Sequence, residues 1–159
     1  MKEKIKTISQ ILKIVKRLRR EGEKIIFTNG CFDILHIGHV RYLNRAAKYG
    51  RLIVGLNSDQ SVRENKGPNR PINKEKIRAE MLASLSCVSY VFMFGTKTVE
   101  GLLKKIKPEI YIKGGDYTLD TINQDERKII ENYGGKIIII PAQTDASTSK
   151  IIKKIESLE

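Results

Sequence analysis

His36 and His39 are the only two histidines in the chain, and Gly38 stands between them. Side chains three residues apart share one side of a helical turn. At a helix start, unpaired backbone N–H groups and the positive end of the helix dipole point the same way. Gly38 puts no side chain between the rings, so an anion can approach the backbone. This is a device for holding a phosphate and stabilising charge that develops on it. The run leading in, Thr28-Asn29-Gly30-Cys31-Phe32-Asp33, supplies further polar groups and a carboxylate.

Four other clusters carry similar chemistry. Asn57-Ser58-Asp59 precedes a basic stretch in which Arg63, Lys66 and Arg70 accompany Pro68 and Pro71, read as a loop forming a phosphate clamp. Arg78, one helical turn beyond Lys74, is placed to reach the same phosphates. Lys113-Gly114-Gly115-Asp116 lets the backbone pass close to a ligand and offers a carboxylate to a sugar hydroxyl. Ser147-Thr148-Ser149 can cap a helix and bind phosphate, and capping explains only one of the three hydroxyls.

The elements that must position these groups follow from periodicity. Apolar residues at Ile8, Ile11, Leu12, Val15 and Leu18 predict an N-terminal helix with basic residues between them. Short β-branched runs predict strands at 24–28, 52–56, 90–94, 110–113 and 136–140. Amphipathic stretches predict helices at 37–49, 74–85, 98–107, 123–133 and about 148–158. Strands apolar throughout and joined by helices read as a five-stranded parallel sheet covered on both faces, a doubly wound, Rossmann-like α/β sandwich. Such sheets bind ligands at the carboxyl ends of their strands, where every cluster above falls.

Composition bounds the rest. The chain has 159 residues, 40% hydrophobic and 30% charged, which suits one compact domain spanning 1–159. No apolar run approaches the ~20 residues of a membrane span, and no apolar signal core follows Met1, so a cytoplasmic protein without membrane association is expected. Cys31 and Cys87 form no CxxC or metal-ligand pattern, and no protein-held metal site is expected. The net charge of +12 first suggests nucleic acid. Half of that excess lies in residues 1–24, and only 6% of residues are aromatic, too few for base-stacking platforms. An anionic small molecule fits better. The basic helix over 1–22 is either a recruiting surface or a helix packed on the sheet, within a homodimer interface or without one; packing is the reading taken.

The segment from Thr28 to His39 resembles the signature of nucleotidyltransferases that share the His-x-Gly-His motif, cytidylyltransferases among them. Class I aminoacyl-tRNA synthetases share its second half but are far larger. Together, Lys66-Gly67-Pro68-x-Arg70-Pro71-Ile72 and Lys113-Gly114-Gly115-Asp116-Tyr117 resemble the bacterial heptose-1-phosphate adenylyltransferase family, free-standing or as the C-terminal half of a kinase/adenylyltransferase. Related cytidylyltransferases place an Arg-Thr pair where this chain has Gln143-Thr144.

The resemblance implies transfer of AMP from ATP to D-glycero-D-manno-heptose 1-phosphate, giving ADP-heptose and pyrophosphate. Mg²⁺ is expected as the partner of ATP, and a separate heptose kinase as the source of the acceptor. It implies catalytic roles for His36, His39 and Lys66. Nucleotide contacts fall to Thr28–Asp33, Gly38, Lys113, Gly114, Asp116 and Ser147–Ser149. Acceptor-phosphate contacts fall to Asn57, Arg70 and Arg78. The alternatives are a sibling transferase with another base or acceptor, a nucleic-acid-binding module and a nucleotide sensor without turnover.

Overall fold

The structure is a computed structural model that describes residues 2–115, 117–142, 144 and 146–158. Five strands, β1 (Ile25–Gly30), β2 (Arg51–Asn57), β3 (Tyr90–Phe94), β4 (Ile110–Gly114) and β5 (Lys136–Ile140), form one sheet. Their order is β3-β2-β1-β4-β5 and every pairing is parallel. The chain winds outward from β1 to β3 and then restarts on the other side of β1 with β4. The carboxyl ends of β1 and β4 therefore diverge at the reversal point, where α/β sheets leave a crevice.

The strands are apolar on both faces because helices cover both. On one face α2 (Ile37–Ala47) and α4 (Glu75–Ser84) pack Leu43, Ala46, Ala79 and Leu82 against Ile26, Leu52, Val54 and Ile112. On the other, α1 (Ile8–Arg20), α5 (Glu100–Ile106) and α6 (Gln124–Asn132) pack Ile11, Val15, Leu103 and Ile130 against Phe27, Ile53, Phe92 and Tyr111. Phe27 stacks between Phe92 and Tyr111 at centroid distances of 6.0 and 5.8 Å. α7 (Thr148–Glu156) closes the described chain and has no buried residue.

The basic N-terminal helix is a packed helix. A Thr7–Gln10 capping box starts it, and Ile11, Val15 and Leu18 are buried. Burial of three such side chains stabilises by roughly 5–9 kcal/mol as an upper bound. Arg19 adds an ion pair to Glu109 at 2.8 Å and hydrogen bonds to the carbonyls of Ile106 and Lys107. No described helix is long and apolar enough to cross a membrane.

One element differs from the sequence expectation. The stretch after Asn57, read as a loop, begins with an eight-residue helix, α3 (Asp59–Lys66). Ser58 caps it by accepting from the Ser61 amide, and Gly67 ends it at φ 98°. Only Ser61 and Val62 are buried, so the sequence carries no apolar stripe that would announce a helix. Lys66 thus stands on the last turn of a helix, and Arg70 follows beyond Gly67.

Candidate active site

The His36–His39 pair is built by the start of α2. His36 is the N-cap residue, in extended backbone, and His39 lies on the first turn. Their rings stack with centroids 3.8 Å apart, and the edge of the Phe32 ring meets His39 at 5.2 Å. A Cβ on Gly38 would come within 2.9 Å of the His36 ring and 3.0 Å of Thr144 Cγ2. Only glycine lets His36 fold over the helix start with the Thr144 segment beside it. Phe32 holds a left-handed φ of 45°, a conformation that costs on the order of 1–3 kcal/mol for a bulky residue. It is retained where it turns the chain from β1 toward the histidines.

Nδ1 of both histidines is buried without a hydrogen-bond partner among the described residues. Buried polar atoms are normally satisfied, so two adjacent orphans are an exception of the kind that functional sites carry. Burial pushes the His39 pKa down to about 4, with His36 adding to the depression and the Ile34 carbonyl opposing it. Burial also lowers the His36 pKa. In the free protein at neutral pH the rings are therefore uncharged, and each can offer one ring N–H to an oxyanion.

Two continuous chambers open at this point. The smaller, about 290 Å³, is lined by both histidines, Gly38, Tyr42, Thr144 and the apolar Ile140, Pro141, Ala142 and Ala146. The larger, about 590 Å³, is lined by His39, Asp33, Asn57, Asn65, Lys66, Arg70, Lys97, Lys113, Tyr117, Glu126 and Ser147–Ser149. Asn29, Gly30, Cys31, Phe32, Gly114 and Ser147 line both. Apolar walls suit a planar base and polar walls suit phosphates and hydroxyls, with the histidines at the junction.

Asp33 organises the rim of the larger chamber. It is buried; Oδ1 accepts from the amides of Ile72 and Asn73 at 2.8 and 3.0 Å, and Oδ2 pairs with Arg70 at 2.6 Å. Its carboxylate therefore shapes the pocket through the 70–73 segment. Arg70 uses one nitrogen for this and keeps most of its five donors. Lys113 is held by Glu126 at 3.1 Å and lies 3.4 Å from Asn29 Oδ1. Lys66 and Lys97 have no ion pair among the described residues, and they carry the uncompensated positive charge of the chamber. Burial raises the Cys31 thiol pKa, with Lys66, Arg78 and Arg70 pulling the other way, so the thiol stays protonated at neutral pH.

Two expected contacts are not made. Arg78 lines neither chamber: its side chain is fully buried, with Nη2 on Asp59 at 2.8 Å, Nη1 on the Cys31 carbonyl at 2.6 Å and Nε on the Asn73 carbonyl at 2.9 Å. It ties α3 and α4 to the loop after β1, and every nitrogen has a partner. Thr28 is also fully buried, and its hydroxyl meets Tyr42 Oη at 2.6 Å. Tyr42 in turn donates to the Ile112 carbonyl at 3.1 Å, so Thr28 secures the floor from beneath. Gly114 is needed there, because its Cβ would sit 2.6 Å from the Tyr42 ring.

The remaining expected residues among those described line one chamber or the other. Asn57 is buried and donates to Ser61 Oγ at 2.9 Å while lining the larger chamber. Ser147 caps α7 by accepting from the Lys150 amide, Thr148 donates to the Ile34 carbonyl at 3.3 Å, and Ser149 is exposed at the opening. Lys113 lines the polar chamber, not the apolar one. Asp116 and Gln143 lie outside the described residues. Sequence reasoning missed Lys97, Asn65 and Glu126. Lys97 follows β3 and so sits at a carboxyl end, the one signal that pointed to it; Asn65 and Glu126 sit on helices and carried none.

A parallel α/β sheet with paired imidazoles at its reversal point and a cationic chamber beside them defines a protein of the nucleotidyltransferase class. Residues 27–154 match the cytidylyltransferase-like family, and the chain belongs to it. Among curated proteins, the bifunctional protein HldE of Syntrophotalea carbinolica is 44% identical over 96% of this chain and 31% of its own length. That of Aliarcobacter butzleri is 47% identical over 98% of this chain and 32% of its own. The chain spans about a third of the length of these relatives. Among solved structures, a lipopolysaccharide core biosynthesis protein from Thermoplasma volcanium aligns at a TM-score of 0.64. It shares 26% identity and covers 79% of this chain and 100% of that one. A pantoate-beta-alanine ligase from Francisella tularensis, at 19% identity and a TM-score of 0.62 over 96% of this chain and 77% of that one, shares the fold.

Proposed function

We propose that this nucleotidyltransferase moves AMP from ATP to D-glycero-D-manno-heptose 1-phosphate, releasing pyrophosphate and forming ADP-heptose. The observation that carries the reading is the stacked His36–His39 pair, with neither Nδ1 hydrogen-bonded among the described residues, at the junction of an apolar and a cationic chamber. The HldE relatives, at 44% and 47% identity, support the heptose acceptor. A sugar kinase would supply that acceptor.

The chemistry needs no general base. The acceptor phosphate is already an anion, and one of its oxygens attacks the α-phosphorus of ATP in line. The bond to the bridging oxygen of the β-phosphate breaks, and pyrophosphate leaves with the electron pair. The chain's work is alignment and charge neutralisation. His36 and His39 donate to the oxygens around the α-phosphorus, where charge builds in the transition state. Lys66, with Lys97 and Arg70, offsets the repulsion between acceptor phosphate and triphosphate. Ser147–Ser149, at the start of α7, receive the β- and γ-phosphates. The apolar chamber takes the base. No three His, Cys, Asp or Glu side chains cluster as a metal set among the described residues. Mg²⁺ enters this reading as the partner of ATP, held through phosphates and water.

The test is pyrophosphate release with ATP, CTP, GTP and UTP, each against both anomers of heptose 1-phosphate. Turnover with ATP and one anomer is expected, and His36→Ala or His39→Ala should each lower kcat by about 10²-fold or more. Near-normal turnover in either variant, or CTP preferred over ATP, overturns the reading.

A further inference from the structure

Glu126 stands out in a chamber built for anions. It is 5% exposed, lines the larger chamber and is absent from the wall of the smaller one. Of the two carboxylates on that chamber's described lining, Asp33 is fully engaged by Arg70 and two amides. Glu126 differs. Its Oε2 lies 3.1 Å from Lys113 Nζ and 2.9 Å from Tyr111 Oη, whose single proton is shared with Asn29 Oδ1 at 2.7 Å, and no hydrogen bond among the described residues reaches Oε1. The carboxylate sits on the first turn of α6, where the helix dipole favours negative charge. It also pairs with Lys113, whereas Lys66 and Lys97 have no ion pair among the described residues.

We propose that Glu126 is a specificity-determining residue: it accepts hydroxyls of the acceptor's polyol end and rejects a second anionic group there. This rests on the sugar-phosphate reading above. The acceptor must turn its phosphate toward the histidines, so its uncharged end meets the remaining chamber wall. A buried carboxylate with a free oxygen rewards a hydroxyl donor and repels a phosphate in a site where water screens little. The chemistry selected is a polyol with one anionic end.

The experiment measures kcat/KM by pyrophosphate release for heptose 1-phosphate and for the same sugar phosphorylated on its terminal hydroxyl as well. Wild type, Glu126→Gln, Glu126→Asp and Tyr111→Phe are compared as full chains. Wild type should prefer the monophosphate at least tenfold. Glu126→Gln should reduce that ratio at least tenfold, chiefly through a lower KM for the bisphosphate, because Lys113 is then uncompensated as well. Glu126→Asp should stay within threefold of the wild-type ratio. Tyr111→Phe, which removes a hydrogen bond and keeps the charge, should do the same. A ratio unchanged in Glu126→Gln, or one that collapses equally in Tyr111→Phe, overturns the assignment while leaving the proposed reaction standing. No turnover by wild type with either sugar removes the proposed reaction and this assignment together.

Discussion

The depressed His39 pKa couples stability to pH, and the coupling has a calculable size. The ordinary value is 6.5 and burial lowers it to about 4 in the folded chain. Above pH 6.5 the ring is neutral in both states and the folded chain has its full stability. As pH falls from 6.5 toward 4, the unfolded chain binds a proton that the folded chain refuses, and stability is lost. Below about 4 both states are protonated and the loss levels off at about 3 kcal/mol, from 1.36 kcal/mol per unit. Between about pH 7.5 and pH 5 the His39 contribution is about 2 kcal/mol. His36 adds its own slope, so the quantity to measure is a difference. Urea unfolding of wild type and His39→Gln at both pH values should show wild type losing about 2 kcal/mol more than the variant. With two histidines in the chain, an NMR titration of the imidazole protons reports the same pKa directly. A triphosphate bound beside the ring should raise it by a unit or more, because an anion favours the charged imidazole. Titration of the free protein's His39 above pH 6, or parallel stability losses in wild type and variant, would refute the argument that burial controls this ring.

Two other outcomes follow from the packing. Arg78→Met leaves the Asp59 carboxylate and two half-buried carbonyls without their donor, so unfolding should become easier by about 3–5 kcal/mol in a urea titration; a change under 1 kcal/mol would return Arg78 to the role of a surface phosphate ligand. Gly38→Ala drives a methyl group into the His36 ring, and kcat should fall at least tenfold while the urea midpoint moves little, since the loss is of alignment rather than of core. Unchanged kcat would show that the observed His36 position is not the working one.

The local pattern of the sequence determined the scaffold. Runs such as Leu52–Leu56 and Lys136–Ile140 are β-branched and apolar, so each is a strand within a residue or two of its expected bounds. The histidine pair was equally legible, because a spacing of three around a glycine at a helix start has one geometric meaning whatever surrounds it. Tertiary structure decided how the charges are used. Arg70 and Arg78 stand eight positions apart in one basic stretch, yet one lines the chamber and the other is sealed beneath it. The difference lies in their partners: Asp33 comes from the loop after β1, while Asp59 and the Cys31 carbonyl meet at the start of α3. Lys113 and Glu126 likewise neutralise each other across β4 and α6, which leaves Lys97, a residue without a motif, beside Lys66 as a chamber cation with no ion pair among the described residues. Periodicity encodes which face of an element is apolar. An ion pair is chosen by proximity between residues tens of positions apart, and that proximity exists only once the sheet has brought its strand ends together.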